Sequence, residues 1–310
     1  MPTATSAAAR QPGRVHLWLL AARPATLPAA AAPVFVGGAV AVVQGANFSF
    51  RLFAITLLSA LFIQIGTNYA NDYSDSRRGV DHEGRLGPLR VTQSGLLSEG
   101  DVRAGILAAF GVAALLGAYL IWVGGWPIAA IGVLSIAAGI AYTGGPWPFG
   151  YHALGDLFVF VFFGVIAVTG TAYLQTGSWS SLALVMSVPV GLLVSNILVV
   201  NNLRDRATDE VSGKRTLAVV LGDRRTRLQY ALFTLLAYVI PVLLVANSRW
   251  VGTWLLLPLL GAPLAAALVV RILRGDAGRD LNPMLVRTGQ HLLLFSVLLV
   301  AGLLLTVHHS

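Results

Sequence analysis

The sequence predicts an all-α, polytopic membrane protein, and three observations carry that prediction. Of its 310 residues, 56% are hydrophobic and 11% are charged, where an average soluble domain is roughly a quarter charged. The apolar residues fall into nine stretches, each near the roughly 20 residues that a helix needs to span a bilayer. They are 15–43, 52–72, 102–122, 127–143, 154–174, 181–203, 229–247, 251–271 and 289–308. The charges are one-sided. With the N-terminus in the cytoplasm and the spans alternating, 19 of the 21 Lys and Arg lie on the cytoplasmic side, all but Arg51 and Arg249, as the positive-inside rule requires. The net charge of +8 is therefore read as membrane topology, with no nucleic-acid partner expected.

Residues 1–14 are rich in Ala, Thr and Pro and are expected to form a disordered tail. Residues 15–310 are expected to form a single transmembrane domain. The first span carries Pro24, Pro28 and Pro33 and is too long and too interrupted for a signal peptide. The second is unusual because it ends polar, in Asn68, Asn71, Asp72 and Asp75, with Arg77 and Arg78 directly after. Spans three and four follow a long polar loop. The short turn "TGGPWPFGYHALG" leads from span four to span five. Span six carries Asn196, Asn201 and Asn202 and ends in "NNLRDRATDEVSGKRT", residues 201–216. Spans seven to nine complete the chain. The polar ends of spans two and six lie four spans apart, which suits two four-helix halves plus a ninth helix. Trp18, Trp122, Trp126, Trp147, Trp179, Trp250 and Trp254 stand near span ends, as an interfacial aromatic belt does.

Several chemistries are excluded. There are no cysteines, hence no disulfides, thiolate metal sites or thiol nucleophiles. The six histidines are scattered. "SGKRT" at 212–216 lacks the upstream glycine spacing of a phosphate-binding loop.

All 13 Asp and Glu fall on the same side as the basic residues, which the positive-inside rule does not demand. On a helix, residues three and four apart share a face. That spacing groups Asn68 with Asp72, Asn71 with Asp75, Asp72 with Asp75, and Asp205 with Asp209. Carboxylates this close repel unless a cation lies between them. All the donors are oxygens, which suit Mg2+ or Ca2+, and Mg2+ is commonly held by one or two carboxylates together with substrate phosphates. Arg77, Arg78, Arg204, Arg206, Lys214 and Arg215 stand beside the acids, and Arg and Lys are phosphate donors. The pattern points to acids that hold metal, metal and Arg that hold a diphosphate, and apolar spans that hold its tail. A mixed-charge juxtamembrane loop is the alternative reading of the same spacing.

At these residues the sequence resembles the UbiA superfamily of intramembrane prenyltransferases. "NDYSD", Asn71–Asp75, matches its first acidic motif, and "DRATD", Asp205–Asp209, its second. Many members carry a further Asp four residues after the first motif. Here position 79 is Gly and the nearest acid is Asp81. The resemblance implies nine transmembrane helices in a UbiA-like bundle with cytoplasmic cap loops. It also implies Mg2+ on Asp72, Asp75, Asp205 and Asp209, with Asn68, and a polyprenyl diphosphate bound through the metal. Its allylic carbon is then attacked by an electron-rich aromatic acceptor. The stretches 21–37, 66–81, 85–95 and 201–222 most resemble the branch of menaquinone synthesis, which prenylates 1,4-dihydroxy-2-naphthoate with loss of CO2. Other aromatic acceptors, 4-hydroxybenzoate and homogentisate, remain open.

Further candidates for substrate binding are Arg23, Arg90, Tyr142 and Asp156. Arg23 either meets an anion or snorkels to the surface. Arg90, with Gln93 and Ser94, is expected on a short loop helix that caps the site. Tyr142 and Asp156 bracket the turn between spans four and five and either position the acceptor or serve as an interfacial Tyr and a helix N-terminal acid. Gly144, Gly145 and Gly164 are candidates for leaving room for a bicyclic acceptor. A cation-coupled transporter is the competing class, but it should carry ionisable groups near the bilayer midplane. The expected setting is the cell inner (plasma) membrane, in contact with lipid, with the acidic side in the cytoplasm.

Overall fold

The computed structural model describes residues 13–79, 86–87, 90–247 and 252–307. Asp81 and most of the N-terminal tail lie outside the described residues. The described residues form eleven α-helices: α1 Arg14–Ala22, α2 Pro28–Val43, α3 Phe50–Arg77, α4 Glu99–Gly124, α5 Trp126–Ala141, α6 Gly155–Val159, α7 Ala167–Thr176, α8 Ser181–Val211, α9 Leu217–Asn247, α10 Ala262–Arg274 and α11 Leu281–Val307.

Among the described residues, seven helical segments are long and apolar enough to span a membrane, or eight if α1 and α2 form one span bent by 53°. The expected count of nine fails at α5, whose 16 residues fall short of the roughly 20 that a span needs. The bend between α1 and α2 sits at Arg23, whose φ of 50° ends α1 ahead of Pro24 and a short 3-10 turn, Pro24–Thr26. Span five is not regular either. Between α6 and α7 lies a π-helical stretch, Phe160–Ile166, a deviation often found at functional sites.

Helix α8 is the hub. In its most apolar window 78% of residues are buried, against 22% for α3 and α4, and it packs on α2, α7, α9 and α11. Lipid tails are as apolar as Leu, so close packing of small residues replaces the hydrophobic drive. Gly164 and Gly191 supply it between the π-helical stretch and α8: a Cβ on Gly164 would lie 2.7 Å from the Gly191 Cα. Polar side chains tie α9 to its neighbours. The amide of Asn196 in α8 donates to Thr234 Oγ1 at 2.9 Å, and Tyr238 and His291 hydrogen-bond at 2.9 Å.

The loops after spans two and six are shorter than expected, because charged residues continue the helices. α3 runs through Arg77 and α8 through Val211, while α9 begins at Leu217 and turns at Gly222, where φ is +76°. The C-terminal ends of α3 and α8 emerge at the same end of the bundle as residues 90–98, 142–154 and 212–216.

Candidate active site

Acids near the C-terminal end of a helix face its negative pole and weaken it. Asp75 in α3 and Asp209 in α8 both occupy that position, so another source of positive charge must account for them. Asp72 and Asp75 are 1% and 2% exposed. The two oxygens of Asp72 accept the backbone N–H groups of Val91 and Thr92, each at 3.2 Å. Asp75 accepts Arg90 on Oδ2 at 2.5 Å and the Tyr151 hydroxyl on Oδ1 at 2.8 Å. One turn earlier, Asn68 donates to Ala22 O at 2.9 Å and Thr26 Oγ1 at 3.0 Å, and Asn71 accepts the Thr143 hydroxyl at 2.8 Å.

The second cluster is organised by Arg204. Its guanidinium grips both oxygens of Asp205, at 2.8 and 2.6 Å, and also donates to Asn201 and Asn282. A Cβ on Gly87 would come within 2.6 Å of that guanidinium. Gly87 therefore lies against α8, and Asn282 of α11 donates to Leu86 O at 2.9 Å. Asp209 faces the Lys214 ammonium at 3.8 Å.

Tyr151 stands between the clusters. Lys214 and Arg78 both lie over its ring, 5.2 and 5.4 Å from the centroid, within cation–π reach. Burial and the neighbouring Asp75 carboxylate both push the Tyr151 hydroxyl up, so it stays a donor at neutral pH.

Below the acids a cavity of about 390 Å³ opens among α2 to α8, within the roughly 300–1,000 Å³ typical of ligand pockets. Its polar end carries Arg23, Gln64, Asn68, Asn71, Tyr142 and Asn201, and its walls are apolar, including Ile63, Ile128, Phe158, Phe162 and Leu198. Ile121 of α4 and Val133 of α5 line it and yet are 38% and 66% exposed, so the cavity opens sideways between those helices. Arg23 reaches the polar end from a left-handed backbone conformation, an arrangement that costs about 1–3 kcal/mol and clusters at functional sites.

The structure thus brings Asn68, Asn71, Asp72, Asp75, Arg90, Arg78, Lys214 and Asp209 to one end of the bundle, with Arg23 and Tyr142 at the cavity mouth. Other candidates are placed elsewhere. Arg77 is two residues from Asp75 and so on the opposite helix face, with its guanidinium bonded to the Tyr73 hydroxyl at 3.2 Å. Arg215 contributes its backbone, and its side chain is exposed. Asp156 is absent from the cavity lining and accepts Gln229 of α9 at 2.9 Å. Its position at the start of α6 fixed its depth but not which face it takes. Residues 91–95 form turns rather than a helix, closed by the Ser94 hydroxyl on Arg90 O at 2.6 Å and by Gly95 at φ +68°. Gln93 and Ser94 are exposed. Gly164 is spent on helix packing, Gly144 backs onto Ile140 O and Gly145 serves a turn. The glycines that leave space in the cavity wall are Gly117 and Gly132, where an added Cβ would meet nothing within 4 Å. Sequence reasoning missed Tyr151, whose partners come from two separate segments, the end of α3 and the 212–216 turn.

The donor set suits Mg2+. All the acids offer hard oxygens, and among the described residues no three acidic, His or Cys side chains form a self-sufficient cage. Such half-built sites are typical where substrate phosphates complete the shell.

A sequence profile described as the UbiA prenyltransferase family matches residues 30–285. Among curated proteins, the chain is 41% identical over 288 residues to the 1,4-dihydroxy-2-naphthoate octaprenyltransferase of Mycobacterium tuberculosis, a match that covers 93% of this chain and 96% of the relative. It is 35% identical over 299 residues to the protein of the same name from Haemophilus influenzae, covering 94% and 97%. Among solved structures, a UbiA homologue from Archaeoglobus fulgidus bound to GPP and Mg2+ superposes with a TM-score of 0.62 at 14% identity, covering 91% of this chain and 99% of that one. That likeness is one of fold.

Proposed function

The chain belongs to the UbiA prenyltransferase family and is a membrane prenyltransferase, and from that premise we propose that it transfers a polyprenyl group from its diphosphate to 1,4-dihydroxy-2-naphthoate, with release of diphosphate and CO2. The observation that carries this reading is the junction of an apolar, laterally open cavity with a mouth of carboxylates, amides and cations. Such a shape accepts an amphiphile whose anionic head stays at the mouth while its tail runs into the bilayer. The naphthoate acceptor is inferred from the name that the curated relatives share.

Asp72, Asp75, Asp205 and Asp209, with Asn68, would hold Mg2+, which when bound supplies positive charge to the diphosphate as it departs. Arg78 and Lys214 donate to the remaining phosphate oxygens. Preorganised donors of this kind act most strongly where negative charge grows in the transition state. The allylic C–O bond breaks with its electron pair leaving on the diphosphate. The walls keep water from the carbon so exposed. The ring carbon that carries the carboxylate forms the new C–C bond, and CO2 departs, returning its bonding pair to the ring. The product is the reduced form of demethylmenaquinone. Arg23 and Tyr142 line the mouth where the acceptor must sit and serve to orient it. The acid-bearing end is assigned to the cytoplasmic face of the plasma membrane from the distribution of basic residues.

The test is direct. Purified protein given octaprenyl diphosphate and 1,4-dihydroxy-2-naphthoate should form the prenylated quinol with Mg2+ and not with EDTA. Turnover undiminished by EDTA would refute the metal-dependent reading.

A further inference from the structure

Tyr151 touches the first acid cluster directly and reaches the second through Lys214, while belonging to neither helix that carries them. Its hydroxyl donates to Asp75 Oδ1 at 2.8 Å. On one face of its ring the Lys214 ammonium lies 5.2 Å from the centroid, and that same ammonium is 3.8 Å from Asp209 Oδ1. A continuous path of side chains therefore runs from Asp75 through Tyr151 and Lys214 to Asp209, joining the end of α3 to the end of α8. The guanidinium of Arg78 also lies over the ring, 5.4 Å away.

The backbone around Tyr151 has its own anchorage. Arg215 N–H donates to Tyr151 O at 3.2 Å, and Ala153 N–H donates to Arg215 O at 2.8 Å. His152 and Arg215 form an isolated parallel bridge. These bonds seat the 149–153 segment against the 212–216 segment whatever side chain stands at 151. Packing alone would be served as well by Phe. The hydroxyl adds one thing only, a donor aimed at a carboxylate.

We propose that Tyr151 is a positioning residue that couples the two acid clusters. Its hydroxyl fixes the rotamer of Asp75, and its ring holds Lys214 beside Asp209, so that both carboxylates are set to receive one divalent cation and diphosphate unit. The proposal rests on the functional reading above and deepens it. A partner hydrogen-bonded to a metal-binding carboxylate governs that carboxylate's orientation, and its loss commonly weakens metal affinity by roughly 10–100-fold.

The experiment uses full-length protein in detergent, with Mn2+ as the probe and inorganic pyrophosphate present, and reads free Mn2+ by its paramagnetic resonance signal. Tyr151→Phe should raise the apparent Kd for Mn2+ at least roughly tenfold. It should raise the half-saturating Mg2+ in prenyl transfer by a similar factor while the KM for the aromatic acceptor stays fixed. In an Asp75→Asn background the same substitution should change the Mn2+ Kd by less than roughly twofold, because residues that act as one unit are not additive. An unchanged Kd in Tyr151→Phe would overturn the proposal. So would an equal loss in the two backgrounds, which is the signature of general loosening. If the wild type binds Mn2+ and pyrophosphate but transfers no prenyl group, the functional reading fails, while the binding arm still decides the role of Tyr151.

Discussion

The Arg90 guanidinium lies 2.5 Å from Asp75 Oδ2, and the two side chains are 7% and 2% exposed. The next two residues cap Asp72 with their backbone N–H groups. One short segment thus holds both acids of the first cluster, Asp75 by an ion pair and Asp72 by backbone hydrogen bonds. It occupies oxygens that a metal would share, so Arg90 stabilises the ligand-free protein and competes with the cation for Asp75.

Removing one partner of a buried ion pair leaves an uncompensated charge and costs about 3–5 kcal/mol. Arg90→Ala should therefore lower the thermal midpoint of the metal-free protein. Mg2+ with pyrophosphate supplies the missing positive charge, so their stabilising shift should be larger in the variant than in the wild type. Differential scanning fluorimetry with and without these ligands reads both quantities. A smaller shift in the variant would mean that Arg90 assists the metal and does not compete with it.

Asp72→Asn and Asp205→Asn each remove a charge from one cluster. Each should reduce prenyl transfer by roughly 100-fold or more at limiting Mg2+, if a transition-state charge contact worth about 3 kcal/mol is lost. The protein should still reach the membrane and elute as the wild type does in size-exclusion chromatography. Near-normal turnover in either variant would break the two-cluster account.

The orientation is open to labelling because the chain has no cysteines. Cysteines introduced at Ser94 and at Ser212, in the two segments beside the acids, should both react with an impermeant maleimide from the cytoplasmic face only. Reaction of one from each face would overturn the topology.

The cavity wall gives a prediction about chain length. Gly132 lines the cavity, with space around it, and lies near the lateral opening between α4 and α5. Gly132→Phe should fill part of that passage. It should raise the KM for octaprenyl diphosphate far more than that for dimethylallyl diphosphate, whose short tail does not reach the bilayer. Equal effects on both substrates would place the tail elsewhere.

Much of this arrangement was legible in the sequence, and the limits have physical causes. The spacing of Asn68, Asn71, Asp72 and Asp75 identified a single helix face because helical periodicity is local, and the structure keeps these residues together. The same periodicity, applied to Arg77, would have turned it away from Asp75. Asp156 shows the converse. Its place at the start of α6 could be read, but its turn toward Gln229 depends on how α9 packs. Tyr151 gave no signal because its partners, Asp75 and Arg78 at the end of α3 and Lys214 in a paired loop, are far from it in the chain. The break at Arg23 was signalled by Pro24 and Pro28, whereas the π-helical stretch at Phe160–Ile166 had no local mark.

The central claim is that this cavity and its acids transfer a prenyl group to a bicyclic acceptor. It is tested most directly by competition in membranes that contain the protein, with one polyprenyl diphosphate, Mg2+ and equal amounts of 1,4-dihydroxy-2-naphthoate and 4-hydroxybenzoate. The account predicts prenylated naphthoquinol as the main product, formed with stoichiometric CO2 and absent when EDTA replaces Mg2+. A prenylated hydroxybenzoate as the main product would contradict it.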